Sequence, residues 1–382
     1  MNKLKRKDVL KYMNCKNLWL LFITLLIVCT LGGCGGSNID KNITITKKPV
    51  KVAKINNKLK KESQKESKIR QEVKNYLQKN KLSGSVAIVR GNHILFNEGV
   101  GYADIDKKVL NQPSTTFPIG SITKSFVATS IMKLQEQGKL NIQDPISKYI
   151  PTFPDGKNIN LYHFLTHTSG IQRLRWHPGD TTPLKLIQEI EKMGLKYPPG
   201  SRWDYLDTNY IVLGYVLEKV TGMDLNNFIQ TNIFDKVPMK DSGFITPDHP
   251  VSYTSVGYLL NGDNYTPTKY LNTYALFGCG SIYSTALDVA QYDQALMNGR
   301  LTSKSILKQI ITPSSKSTYG LGLYNDITNV YSVGVLGGWY TMHAYYPTDK
   351  TSIVVLLNER GNSINIKSIV SDIHQITESS HH

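Results

Sequence analysis

The 382-residue chain holds only four cysteines, Cys15, Cys29, Cys34 and Cys279. The first three sit near the N-terminus, so the body keeps one thiol and no internal disulfide can form there. Cys279, between two glycines, reads as a small packed residue. Long apolar runs are equally scarce. Leu18 to Leu31 is about 14 residues, short of the roughly 20 that a membrane-crossing helix needs. No internal repeat is apparent, and no Gly-x-Ser-x-Gly elbow occurs, which removes the nucleophile turn of an α/β-hydrolase. Zinc chemistry lacks its parts too. His163 and His167 are four apart, but Phe164 stands where His-Glu-x-x-His requires glutamate, and no third ligand is evident. We therefore expect no metal and no cofactor, and read His167 as structural, bonding backbone near a cleft.

What is present begins with an address. Lys3, Lys5, Arg6, Lys7, Lys11 and Lys16 precede the apolar run, and Leu31-Gly32-Gly33-Cys34 follows it. Small residues just before a cysteine are what a lipoprotein signal requires. Residues 1–33 are thus expected to be cleaved as a signal peptide and Cys34 to be lipidated, an uncleaved anchor helix being the alternative. Either would place the body on the outer face of the cell membrane, in a Gram-positive-type envelope. The formal net charge of +16 belongs mostly to this end. Residues 1–33 contribute +5 and residues 34–70 contribute +8, leaving +3 for residues 71–382. A nucleic-acid partner loses its support. Residues 34–65, polar and lysine-rich, read as a disordered tether, either lying along anionic lipid or teichoic polymer or simply solvated.

Periodicity organises the remainder. Ile69, Val73 and Leu77 recur at helical spacing, and Ser83-Gly84 ends that element. Ser85 to Arg90, a Gly91-Asn92 turn and His93 to Asn97 read as a hairpin. Helices follow: one begun at Ser121 and stopped by Gly138, one opened by Thr182-Pro183 and running through Met193, one from Asn209 to Val220 closed by Gly222, and one announced by Thr285 and Asp288. Tyr340 to Tyr346 and Ser352 to Leu357 read as strands, before a last amphipathic helix from about Asn365. Strands at both ends with helices between imply one sheet built from the two termini and a helical insertion. Trp203, Tyr210 and Phe277 read as core or cleft wall, and Asn358 as a strand-end turn residue.

Chemistry concentrates at Gly120-Ser121-Ile122-Thr123-Lys124. A serine and a lysine three apart at a helix start share a face, beside unpaired amides and the positive dipole end. That equips Ser121 as a nucleophile, with Lys124 activating it or holding a shared proton, as a base only if its pKa is depressed. Spacing alone is weak: Ser305-Ile306-Leu307-Lys308 has it too and reads as a surface helix. Leu165-Thr166-His167-Thr168-Ser169-Gly170-Ile171 and Tyr205-Leu206-Asp207 supply company. Tyr205 is either a packed aromatic or a phenol that relays a proton, and Asp207 points into the same cleft if that segment is extended.

With these landmarks in order, residues 72–376 resemble the serine β-lactamase-like and penicillin-binding-protein-like family, in particular its class C β-lactamase and D-alanyl-D-alanine carboxypeptidase branch. The resemblance implies an α/β fold: an antiparallel sheet of N- and C-terminal strands flanked by helices, with a mostly helical subdomain inserted. The hydrolase domain would span residues 66–376, with 377–382 a tail. It implies an acyl-enzyme on Ser121, Tyr205 acting as base and acid with Lys124, and oxyanion donors in the backbone amides of Ser121 and Val335. Two positions depart from the family. Its second motif usually ends in asparagine, where this chain has Asp207. Its third is Lys-Thr-Gly or His-x-Gly; aligning Gly334 and Gly338 places Ser332-Val333-Gly334 there, without a basic side chain.

The site has lost a positive group and gained a negative one. A substrate bearing a carboxylate suffers from both changes, whereas one bearing an ammonium gains a partner in Asp207. D-Alanine esterified to teichoic acid has a free amine and a tied carboxyl, so the chain looks most like the teichoic-acid D-alanyl esterase branch. Substrate-binding roles are expected for Asp207, Ser332, Gly334 and Val335. Two rivals stand: a D,D-carboxypeptidase or low-activity penicillin-binding protein acting on peptidoglycan peptides, and a non-catalytic protein that binds wall polymer.

Overall fold

A computed structural model of the chain describes residues 50–175, 181–262, 264–268 and 271–379. Contacts divide the chain into residues 1–57 and 58–382. Of the first unit only the helical backbone from Val50 is described, so the expected signal segment and Cys34 lie outside the described residues.

Helix α1 runs Val50–Lys79, which corrects part of the expected tether: residues 50–65 are helical. The segment holds no proline or glycine and is rich in lysine and other good helix formers, and Lys68 pairs with Glu72 one turn on at 3.7 Å. Among the described residues, no helix is long and apolar enough to cross a membrane.

Six strands make the main sheet: β1 (Gly84–Arg90), β2 (His93–Val100), β3 (Tyr324–Asp326), β4 (Asn329–Leu336), β5 (Trp339–Tyr346) and β6 (Thr351–Leu357), in the order β3-β4-β5-β6-β1-β2. The two ends of the domain meet where β1 pairs antiparallel with β6, from Gly84 opposite Leu357 to Arg90 opposite Thr351. Side chains alternate between two cores. Val86, Ile88, Ile353 and Val355 join Ile69, Val73 and Leu77 of α1 and the apolar face of α9 (Ile366–Ser379). Ala87, Val89, Val354 and Leu356 face the larger helical core. Helix α9 takes in part of the expected tail, reaching Ser379.

Between β2 and β3 lie helices α2 (Thr123–Glu136), α3 (Leu161–Leu165), α4 (Pro183–Met193), α5 (Asp207–Thr221), α6 (Leu225–Asn232), α7 (Ala286–Met297) and α8 (Lys304–Ile311). Their ends follow local chemistry. Thr182 caps α4 by accepting from the Lys185 amide, Thr285 caps α7 by accepting from the Asp288 amide, and Gly222 closes α5 in the left-handed conformation. Ser305 and Lys308 are exposed on α8, the surface helix expected there. Under the sheet, Asp293 of α7 accepts from Ser352 at 2.5 Å and pairs with His343 at 2.6 Å, fastening the helical layer to β5 and β6.

Asn358 is more than a turn residue. Fully buried after β6, it donates to the carbonyls of Tyr102 (2.9 Å) and Val256 (2.8 Å) and accepts from Ser83 and Asn111. Beside it, Glu359 accepts from the Ser83 amide at 2.9 Å while its other oxygen is buried without a partner. Burial pushes this carboxyl up to about 7, the Ser83 amide opposing part of the effect. The folded state therefore holds the proton more tightly than the unfolded chain. The resulting stability is present below the ordinary carboxylate range and lost as pH rises through about 7. Glu359→Gln should remove this dependence, so the Tm of the variant relative to wild type climbs between pH 5 and pH 8. A constant difference would contradict the assignment.

Candidate active site

Ser121 stands in a 3-10 turn, Gly120–Ile122, that runs straight into α2. Two glycines let this turn touch the sheet. Gly120 has φ +52°, and a Cβ there would come 3.1 Å from the Val335 amide nitrogen. A Cβ on Gly334 would come 2.0 Å from the Ile119 carbonyl oxygen. The turn is pinned from both sides: Thr341 of β5 donates to that carbonyl at 3.1 Å, and the Ile119 amide donates to Ile282 at 3.0 Å. The backbone of Val335 is thereby brought against the Ser121 turn, where amides from the two segments can face one developing oxyanion.

Lys124, one turn on in α2, is wholly buried. Its ammonium donates to Ser121 Oγ at 2.9 Å, to Asp207 Oδ1 at 2.6 Å and to the Cys279 carbonyl at 3.0 Å, using all three of its donors. Burial by itself lowers the pKa of such a group, but the electrostatic influence of Tyr205 and Asp207 and the Asp207 hydrogen bond outweigh it, and the net shift is upward. Lys124 is therefore an ammonium at neutral pH. The condition under which it could serve as a free base, a depressed pKa, is not met, and what the geometry leaves to it is to orient Ser121 and hold positive charge beside Oγ.

Tyr205 lies outside regular structure two residues before α5, next to the extended Leu206, with Lys124 Nζ 5.1 Å from its ring centroid. His167 fixes it. The imidazole packs on the Tyr205 ring at 4.2 Å, and its Nδ1 accepts from the Leu206 amide at 3.2 Å and faces Asn209 Nδ2 at 3.0 Å. Burial first, and Lys124 second, hold His167 well below its ordinary pKa, so it is neutral and able to accept. Ser169 donates to Asn209 at 2.5 Å and completes the support. His163 instead takes the Asn160 amide in a capping box at the start of α3.

Asp207 opens α5, where the helix dipole favours a carboxylate. One oxygen is bonded to Lys124, yet the side chain stays 40% exposed. It lines a cavity of about 190 Å³ together with Ser121, Asn272, Leu276, Cys279 and Val335. The described lining has no basic side chain. Ser332 is 4% exposed, opposite His343 on β5, and neither it nor Gly334 reaches the lining. Gly334 serves instead by its missing side chain. Trp203 and Phe277 are half-buried and Tyr210 is fully buried, its hydroxyl donating to the Leu165 carbonyl at 3.0 Å.

The Cys279 carbonyl escaped the sequence reading, as did Asn209. A signal existed for the first. Gly278 and Gly280 flank it, and a Cβ on Gly278 would come 2.4 Å from the Tyr210 carbonyl oxygen, so this backbone is pressed onto α5.

Lys124→Ala should lower kcat by about 10²–10⁴-fold, the range for a group that assists proton transfer. Asp207→Asn should move the alkaline limb of the kcat/KM profile to lower pH, because the carboxylate that raises the ammonium's pKa is gone. An unmoved limb would remove Asp207 from that role.

Comparison with known proteins gives the chain its relatives. A family model described as Beta-lactamase matches residues 66–367. The PbpX protein of Bacillus subtilis strain 168 is 38% identical over 80% of this chain and 78% of its own length. A teichoic acid D-alanine hydrolase of Staphylococcus aureus strain MRSA252 is 31% identical over 78% of this chain and 76% of its own. The crystal structure of FmtA from Staphylococcus aureus superposes with a TM-score of 0.73 at 28% identity, covering 80% of this chain and 87% of that one.

Proposed function

The chain belongs to the β-lactamase family of serine hydrolases, and from that premise we propose that it removes D-alanyl esters from teichoic acid at the outer face of a cell membrane, held there by lipid on Cys34. The observation that carries the substrate choice is the half-open Asp207 carboxylate in a cleft whose described lining has no basic side chain. An alanyl ester offers an ammonium for the free lone pairs of Asp207 and no carboxylate that needs a cation. The relative named teichoic acid D-alanine hydrolase supports the same choice.

In this reading Ser121 Oγ attacks the ester carbonyl while its proton passes to the Tyr205 oxygen, a step that uses the phenolate form of Tyr205 with its charge offset by the Lys124 ammonium. The oxyanion faces the amides of Ser121 and Val335. Tyr205 returns the proton to the departing polyol oxygen, leaving D-alanyl on Ser121. Water then enters by the reverse of these steps and frees D-alanine.

Purified full-length protein incubated with D-alanylated teichoic acid, and separately with a D-Ala-D-Ala peptide, should release D-alanine chiefly from the polymer. Equal or greater release from the peptide would overturn the substrate choice in favour of a carboxypeptidase. Ser121→Ala should abolish release. Asp207→Asn should shift the ratio of kcat/KM values toward carboxylate-bearing substrates, and an unchanged ratio would count against the charge argument.

A further inference from the structure

Two stretches beside Tyr205 are stitched together by backbone. Lys196 and Tyr197 donate to the Gly170 carbonyl, Gly200 donates to Thr168, and Asp204 donates to His167. Their side chains have a marked charge bias. Described residues 168–175 and 195–206 contain Arg173, Arg175, Lys196 and Arg202 against one acid, Asp204. That excess of +3 equals the whole excess of residues 71–382. All four bases are exposed. Three are held in place. Lys196 Nζ stands 5.1 Å and Arg202 Cζ 4.8 Å from the centroid of the same Tyr197 ring, and Arg173 donates to the Tyr205 carbonyl at 3.4 Å.

We propose that this rim is a docking surface for the phosphodiester chain of a polyol-phosphate polymer. The inference rests on the proposed substrate and goes beyond it, from the alanyl group to the chain that carries it. Such a polymer bears two opposite charges at different places: an ammonium on each alanyl ester and an anionic phosphate in each linkage. The protein offers both complements: a carboxylate lining the cleft, and exposed guanidinium and ammonium groups on the segments that lead to Tyr205. Phosphate contacts carry no information about the ester, so the rim supplies affinity for the polymer and the cavity selects the bond to be broken. Tyr197 serves as a strut that keeps two cations from spreading apart, and the fork of Arg202 suits a phosphate better than a lone ammonium.

The test separates this from the substrate reading. Full-length Ser121→Ala is titrated with poly(glycerol phosphate) that carries no D-alanine, over a range of salt. Binding should weaken as salt rises. Adding Lys196→Gln and Arg202→Gln should weaken it further and reduce the slope of log affinity against log salt by about one per cation removed. The tether is common to both proteins, so the difference reads the rim. A Lys196→Arg, Arg202→Lys exchange should retain most of the affinity, which a merely structural role would not require. In the active enzyme, the two Gln substitutions should raise KM for alanylated polymer about tenfold with kcat unchanged. KM for a small D-alanyl ester should stay put. Equal polymer binding by parent and double variant at every salt overturns the proposal, as does a parallel rise in KM for the small ester. Should wild type hydrolyse neither substrate, the esterase reading falls, while binding of the bare polymer still decides the rim.

Discussion

The fully buried ammonium of Lys124 is the constraint on which the site depends. Desolvating a charge is costly unless every donor is satisfied, and here three acceptors from three places in the chain satisfy it. Ser121 comes from the turn before α2, Asp207 from the first residue of α5, and the Cys279 carbonyl from the loop before Ile282. Each is held by the same group, so the lysine closes the floor of the cleft as well as serving its chemistry. Losing it would strand the buried Cys279 carbonyl and remove the ion pair between α2 and α5.

The sheet supplies the opposite wall, and it does so through absences of side chain. Gly120 and Gly334 allow the nucleophile turn and β4 to approach closer than any side chain would permit. Thr341 converts that approach into hydrogen bonds, reaching both the Ile119 carbonyl and the Gly334 carbonyl. The position of Val335 follows from this packing and needs no special sequence of its own. Its side chain is 43% exposed, and what the site takes from it is backbone.

Local chemistry was legible in the sequence and long-range chemistry was not. Thr182, Thr285 and Gly222 mark helix ends because caps act within a few residues. The Ser121–Lys124 pair follows from the period of a helix. The family's motif order brought in Tyr205 and Asp207, which propensity alone could not have joined to it. By contrast, Asn358 reads as a turn from its neighbours and becomes a buried hub only when Tyr102, Val256 and Ser83 arrive from distant segments. The extension of α1 back to Val50 misled for another reason: a lysine-rich segment without sustained periodicity lacks the pattern of a packed helix while retaining the propensity for one. The protonation of Lys124 was out of reach in the same way, since its sign depends on which of burial and carboxylate wins at 2.6 Å.

Asp207 faces two ways. Where the family usually carries asparagine, this carboxylate spends one oxygen on Lys124 and keeps lone pairs turned to the cavity. The two uses compete. A cation drawn to Asp207 would dilute the hold of that carboxylate on Lys124 and lower the pKa of the lysine. A neutral amide at the same place could do neither. The exchange of asparagine for aspartate thus places at this point a negative charge shared between the buried ammonium and the cavity.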